Sequence, residues 1–98
     1  MAQDGRARVL VADDHQLVLD RVVKTLAAEF SVVAAVGDGR QLIDAEAALH
    51  PDVIVMDLSM PVMSGLEAAD CIRRRGSQVP VVCLTAHEEA DMIEAAWE

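Results

Sequence analysis

Arg8-Val9-Leu10-Val11-Ala12-Asp13-Asp14 is a short, nearly continuous apolar run that ends in two acids. Apolar residues at consecutive rather than alternate positions predict a strand buried on both faces of a parallel sheet, its carboxyl end opening into a polar loop. Three further runs have the same character: Ser31 to Val36, Val53-Ile54-Val55-Met56 and Val79-Pro80-Val81-Val82-Cys83-Leu84. All are rich in β-branched residues and of strand rather than helix length.

The intervening segments read as helices. Leu19, Val22, Val23, Leu26 and Phe30 recur at helical spacing, with Asp20, Arg21 and Lys24 off the stripe. Asp38 caps a second helix, with Gln41 three residues later and Leu42, Ala45 and Leu49 as its apolar stripe, until Pro51 stops it. Ser64-Gly65-Leu66-Glu67 is a capping-box pattern that opens a third helix with Leu66, Ala69 and Ile72 inward, ended by Gly76. Thr85-Ala86-His87-Glu88 repeats the pattern before Met92, Ile93 and Ala96 and predicts a fourth helix. Strands alternating with helices give right-handed crossovers and a parallel sheet covered on both faces, an α/β domain over residues 1–98.

Composition narrows the function classes. A formal charge of -9 with only 8 Lys and Arg opposes direct binding to nucleic acid or an anionic membrane. Aromatic residues make up 2%, too few for a base-stacking platform. Arg73-Arg74-Arg75 is the densest basic cluster and reads as a solvated helix end. Cys71 and Cys83 lie in apolar patterns without metal or redox spacing, so reduced thiols are expected. Neither a membrane-length apolar run nor a signal-like start is evident, and a cytoplasmic location is expected.

Open α/β sheets place ligand sites beyond the carboxyl ends of their strands. Asp13 and Asp14 follow the first strand, Asp57 closes the third and Thr85 follows the fourth, so these side chains converge on one edge. Clustered carboxylates repel one another unless a cation neutralises them, and oxygen-only donors favour a hard ion such as Mg²⁺. With that ion present, one carboxylate becomes a nucleophile toward phosphorus. Taken singly, Asp14 and Asp57 read as helix caps or turn residues, and Thr85 as a cap as readily as a switch. His15 and His87, near the same edge, read as surface residues, and His50 as a plain helix-end residue.

Val9-Leu10-Val11-Ala12-Asp13-Asp14-His15, Val55-Met56-Asp57-Leu58-Ser59-Met60-Pro61 with Gly65, and Val82-Cys83-Leu84-Thr85-Ala86 resemble response-regulator receiver domains of two-component signalling, of the NarL/LuxR-type branch. The resemblance implies a flavodoxin-like doubly wound sheet of strand order 2-1-3-4 and a phosphoacceptor rather than an enzyme. Asp57 would take a phosphoryl group from the phosphohistidine of a sensor histidine kinase or from a small acyl phosphate. Asp14, Asp57 and the backbone carbonyl of Ser59 would hold Mg²⁺ directly and Asp13 through water. Thr85 would be the switch residue contacting the phosphoryl group, helped by the backbone of Ala86. Pro61 and Gly65 would shape the loop after the acceptor, while Ser59 and His87 fall where such domains tune phosphoryl loss.

The family continues through a fifth strand, ending in a phosphate-pairing lysine, and a fifth helix. Here the only lysine is Lys24, so that role has no candidate and the chain reads as C-terminally incomplete. The sheet is then expected to end on the apolar edge Val79 to Leu84, favouring a homodimer or domain-swapped oligomer. DNA contact is expected only through an output domain outside this chain. Two other readings stand beside this one. A degenerate interaction module would bind no Mg²⁺. A haloacid-dehalogenase-like phosphatase needs a carboxylate two residues after the nucleophile, where this chain has Ser59.

Overall fold

The computed structural model describes residues 5–84 together with the backbone of residues 94–95. Four parallel strands, β1 (Arg8–Ala12), β2 (Ser31–Val36), β3 (Val53–Asp57) and β4 (Val81–Leu84), alternate with α1 (Gln16–Leu26), α2 (Gly39–Leu49) and α3 (Gly65–Arg74). Their order in the sheet is β2-β1-β3-β4, as expected, and a two-residue strand β5 (Glu94–Ala95) extends it.

Alternation along the two central strands sorts the core into two layers. Val9 and Val11 of β1 pack with Val53 and Val55 of β3 beneath Leu19, Val22, Val23 and Leu26 of α1. The residues between them, Leu10, Ala12, Ile54 and Met56, face Leu42 and Ile43 of α2 and Ala68, Ala69 and Ile72 of α3. Because both faces are covered, β1 is apolar from Val9 to Ala12 and β3 from Val53 to Met56.

Register is fixed at the opposite end from the acids. Asp52 accepts from the Arg8 backbone N–H at 2.8 Å, its own N–H donates to the Arg8 carbonyl, and the Arg8 guanidinium reaches the carbonyl of His50. The chain thus enters β3 paired to the start of β1, and Ala12 and Met56 come level at the carboxyl end.

Several details depart from expectation. Leu66 is 49% exposed. The inward stripe of α3 starts instead at Gly65 and runs through Ala68, Ala69 and Ile72, leaving Leu66 about 100° round the helix. On α2 the buried residues are Gly39, Leu42, Ile43 and Glu46, with Ala45 and Leu49 only half-buried. Helix α1 ends at Leu26, yet Phe30 donates its N–H to the Leu26 carbonyl and still packs on the α1 layer. Strand β4 begins at Val81 because Pro80 has no N–H for the ladder, although its carbonyl accepts from Ile54. Arg73 is not simply solvated: it bonds the carbonyls of Ser77 and Val79 and fastens the turn after α3.

The far edge of β4 is the largest correction. A bare edge followed by a helix was expected, but Glu94 and Ala95 pair antiparallel with Cys83 and Val82. Pairing with Glu94 and Ala95 satisfies backbone groups that a bare edge of β4 would leave open. The predicted start of the fourth helix, at Thr85, lies outside the described residues.

Candidate phosphoacceptor site

The acids sit where the central strands end. The Asp13 N–H bonds the Val36 carbonyl at 3.0 Å, which carries the β1–β2 ladder one residue further and fixes Asp13 at the mouth of the sheet. Asp14 follows in the loop to α1, and Asp57 is the last residue of β3. Asp13 and Asp57 are buried and Asp14 is exposed. Ligand atoms of Asp13, Asp14, His15 and Asp57 all lie within 4.8 Å of one another.

His15 was read from sequence as a surface residue. Its ring is indeed exposed, but Nδ1 lies 3.2 Å from Oδ1 of Asp13 and 3.1 Å from Oδ1 of Asp14. Its backbone N–H also donates to Oδ1 of Asp13 at 2.8 Å. The bond to Asp13 and the neighbouring charge of Asp14 hold the imidazole above its ordinary pKa. A lone histidine carries no periodic signal, and the Asp-Asp-His sequence itself was the only cue to this contact.

The loop after Asp57 is shaped by two close approaches. A side chain at Gly65 would run into the Asp57 carbonyl, and the Gly65 N–H bonds the Leu58 carbonyl at 2.9 Å. Gly39, at the start of α2, likewise abuts the Met63 backbone. Between them Pro61 accepts from the Met63 N–H, closing a tight turn with Val62 at φ +69. A β-branched residue there is strained by about 1–3 kcal/mol. Val62 is 83% exposed, so its side chain contributes little packing in return. Val62→Asn is expected to raise stability by about 1 kcal/mol in urea unfolding, since asparagine tolerates positive φ. The Ser64 capping box with Glu67 forms as predicted and starts α3.

Burial pushes the Asp57 carboxyl above its ordinary pKa; the Ser59 N–H, 3.4 Å from Oδ1, opposes this, and the charges of Asp13 and Asp14 reinforce it. With the folded pKa above the unfolded one, the folded state retains a proton that the unfolded chain has already lost. Metal-free stability therefore falls as pH rises through the window between the ordinary aspartate value and the raised one. Asp57→Asn removes that loss. Without metal, the variant is expected to unfold at higher urea than wild type at neutral pH, and the gap is expected to shrink in acid.

The donor set fits a hard divalent cation. Among the described residues Oδ2 of Asp57 receives no hydrogen bond although the residue is only 7% exposed, and such a buried carboxylate oxygen calls for a cation. Ser59, the expected backbone ligand, lies two residues on and is itself exposed. Thr85, Ala86 and His87 lie outside the described residues. Of the two cysteines, Cys71 is half-buried and Cys83 buried.

Comparison with known proteins gives the family of this α/β sheet with an acid cluster at its carboxyl edge. The chain belongs to the response regulator receiver domain family, which matches residues 9–98. It is 34% identical over 92 residues to the transcriptional regulatory protein DegU of Brevibacillus brevis, covering 92% of this chain and 39% of that protein. Over 99 residues it is 33% identical to the nitrate/nitrite response regulator protein NarL of Escherichia coli strain K12, covering 97% of this chain and 45% of that one. It therefore spans less than half the length of either relative. The signal receiver domain of the putative response regulator NarL from Mycobacterium tuberculosis superposes with a TM-score of 0.78 at 33% identity, covering 87% of this chain and 70% of that one. The fold is thus the flavodoxin-like receiver fold of two-component response regulators. No helix among the described residues is long and apolar enough to cross a membrane.

Proposed function

We propose that this chain accepts a phosphoryl group on Asp57 in a Mg²⁺-dependent reaction, with the phosphohistidine of a sensor histidine kinase as donor. The observation that carries the reading is the convergence of Asp13, Asp14 and Asp57 within 4.8 Å at the carboxyl edge of the sheet. Asp14, Asp57 and the Ser59 carbonyl would hold the ion, and Asp13 would act through water. When bound, Mg²⁺ offsets charge on the carboxylates and on the incoming phosphoryl oxygens. A carboxylate oxygen of Asp57 attacks phosphorus, the P–N bond of the donor breaks, and the donor imidazole leaves with its electron pair and takes up a proton. Aspartyl phosphate is the product, so the chain is a phosphoacceptor rather than a turnover enzyme. Thr85 and the Ala86 N–H are assigned to the phosphoryl oxygens, coupling acceptance to a shift between inactive and active states.

The reading extends to a cytoplasmic regulator in which output, transcription by the likeness to DegU and NarL, lies in a domain outside this chain. Self-association through the β4 edge belongs to the same reading. Since β5 covers Val82 and Cys83, that association is expected to be weak, as sedimentation across a concentration series would report.

Intact mass after incubation with acetyl phosphate tests the chemistry. One added phosphoryl group is expected with Mg²⁺ and none with a chelator. Equal incorporation in both would remove the role of the ion, and no incorporation by folded protein would favour an interaction module.

A further inference from the structure

We propose that Gly39 is a positioning residue for phosphoryl acceptance: the β2–α2 connection that carries it braces the loop after Asp57 and so sets where the acceptor stands relative to Asp13. The inference rests on the reading of Asp57 as acceptor and adds to it a residue that supplies no ligand to the ion. This short connection reaches both halves of the site. At one end the Val36 carbonyl accepts from the Asp13 N–H at 3.0 Å. At the other, Gly39 abuts the Met63 backbone so closely that a Cβ there would overlap the Met63 carbonyl oxygen and lie 2.9 Å from both the carbonyl carbon and the Cβ of Met63. Between these ends the Gly37 N–H donates to Oε1 of Gln41 at 2.9 Å, and Oδ1 of Asp38 accepts from the Gln41 N–H at 2.8 Å. A connection fastened at both ends and in the middle acts as a strut between the two acid-bearing loops.

Of the two surfaces that meet at Gly39, the loop is the one that yields. Helix α2 is anchored along its length: Leu42 and Ile43 are fully buried, and Glu46 accepts from Oγ of Ser77 at 2.9 Å, tying α2 to the turn after α3. The loop instead contains the tight turn that the Met63 N–H closes on the Pro61 carbonyl, with Val62 at φ +69. Such a conformation persists only where the surroundings hold it. Gly39 holds it from the side of α2, as Gly65 does from the start of α3. A methyl group at Gly39 would push Met63 away, and with it the chain back toward Ser59 and Asp57. Displacement of a reacting group by about 1 Å can cost on the order of 10²-fold in rate. The Ser59 carbonyl, assigned to the ion, would move with the same loop.

The test compares Gly39→Ala with Asp38→Ala, which removes the adjacent helix cap without reaching Met63. Acceptance is read by intact mass with Mg²⁺ and acetyl phosphate, at a temperature where urea melts show each protein folded. Gly39→Ala is expected to accept roughly 10–100-fold more slowly and to need more Mg²⁺ for half its maximal rate. Without metal, its amide resonances from Leu58 to Met63 are expected to shift. Asp38→Ala is expected to keep the wild-type rate, Mg²⁺ dependence and loop resonances. Equal rates in the two variants, or a slow Gly39→Ala whose loop resonances match wild type, would overturn the proposal. Should Gly39→Ala not fold, wild type decides: on titration with Mg²⁺ the Gly39 amide is expected to shift with the same half-saturation as Ser59, and a Gly39 amide that stays still would overturn it. Failure of wild type to take up a phosphoryl group would overturn the phosphoacceptor reading instead, and the metal-free resonances of Gly39→Ala would still decide whether Gly39 braces the loop.

Discussion

Asp57→Asn is expected to abolish phosphoryl acceptance, lowering incorporation from acetyl phosphate by roughly 10³-fold or more, the scale on which loss of a nucleophile acts. The amide is nearly isosteric, so the buried end of β3 keeps its shape, but its oxygen is neither charged nor nucleophilic. Asp13 and Asp14 do not substitute for it. Asp13 already binds the His15 backbone and ring, and Asp14 is exposed in the loop before α1. The same variant is expected to be more stable than wild type without metal, because it removes a buried carboxylate beside two others. Loss of activity with gain of stability distinguishes removal of the acceptor from damage to the fold. Time courses of intact mass beside urea melts would measure both.

Gly65→Ala is expected to destabilise the chain by about 2–3 kcal/mol, the upper part of the range for overpacking, and to slow acceptance. The added methyl group would collide with the carbonyl of Asp57 and crowd the backbone of Leu58. These are backbone atoms, so relief must come from moving α3 or the acceptor itself. A displacement near 1 Å at a reacting group can cost on the order of 10²-fold in rate. Ser64→Ala serves as the comparison. It removes the cap bond to Glu67 at the adjacent position, so it should cost about 1 kcal/mol and leave acceptance unaffected. If Gly65→Ala behaved no worse than Ser64→Ala, the close approach would have no functional weight.

The parts of the fold legible in the sequence are those whose pattern is set by burial alone. Strands β1 and β3 lie between two helical layers, so nearly every residue in them is apolar, and Asp57 stands out because it ends such a run. Asp13 and Asp14 were legible for the same reason. The features that escaped depend on distant chain. Glu46 lies on the buried face of α2 because Ser77, 31 residues away, donates to it at 2.9 Å. The inward face of α3 was misjudged by one residue because a steric demand from the Asp57 carbonyl, rather than side-chain hydrophobicity, puts Gly65 inside and turns Leu66 out. Strand β5 answers to the open edge of β4, which no window of sequence around Glu94 reveals. The contact of His15 with both acids is a matter of ring orientation, which residue type does not encode.

The central claim is that Asp57 is the atom-level acceptor. It is tested most directly by treating the Mg²⁺- and acetyl phosphate-exposed chain with borohydride, which reduces an acyl phosphate to an alcohol, and sequencing its peptides by mass spectrometry. The expected result is homoserine at position 57, absent when Mg²⁺ is withheld. Homoserine at Asp13 or Asp14, or a phosphoryl group that resists borohydride, would contradict it.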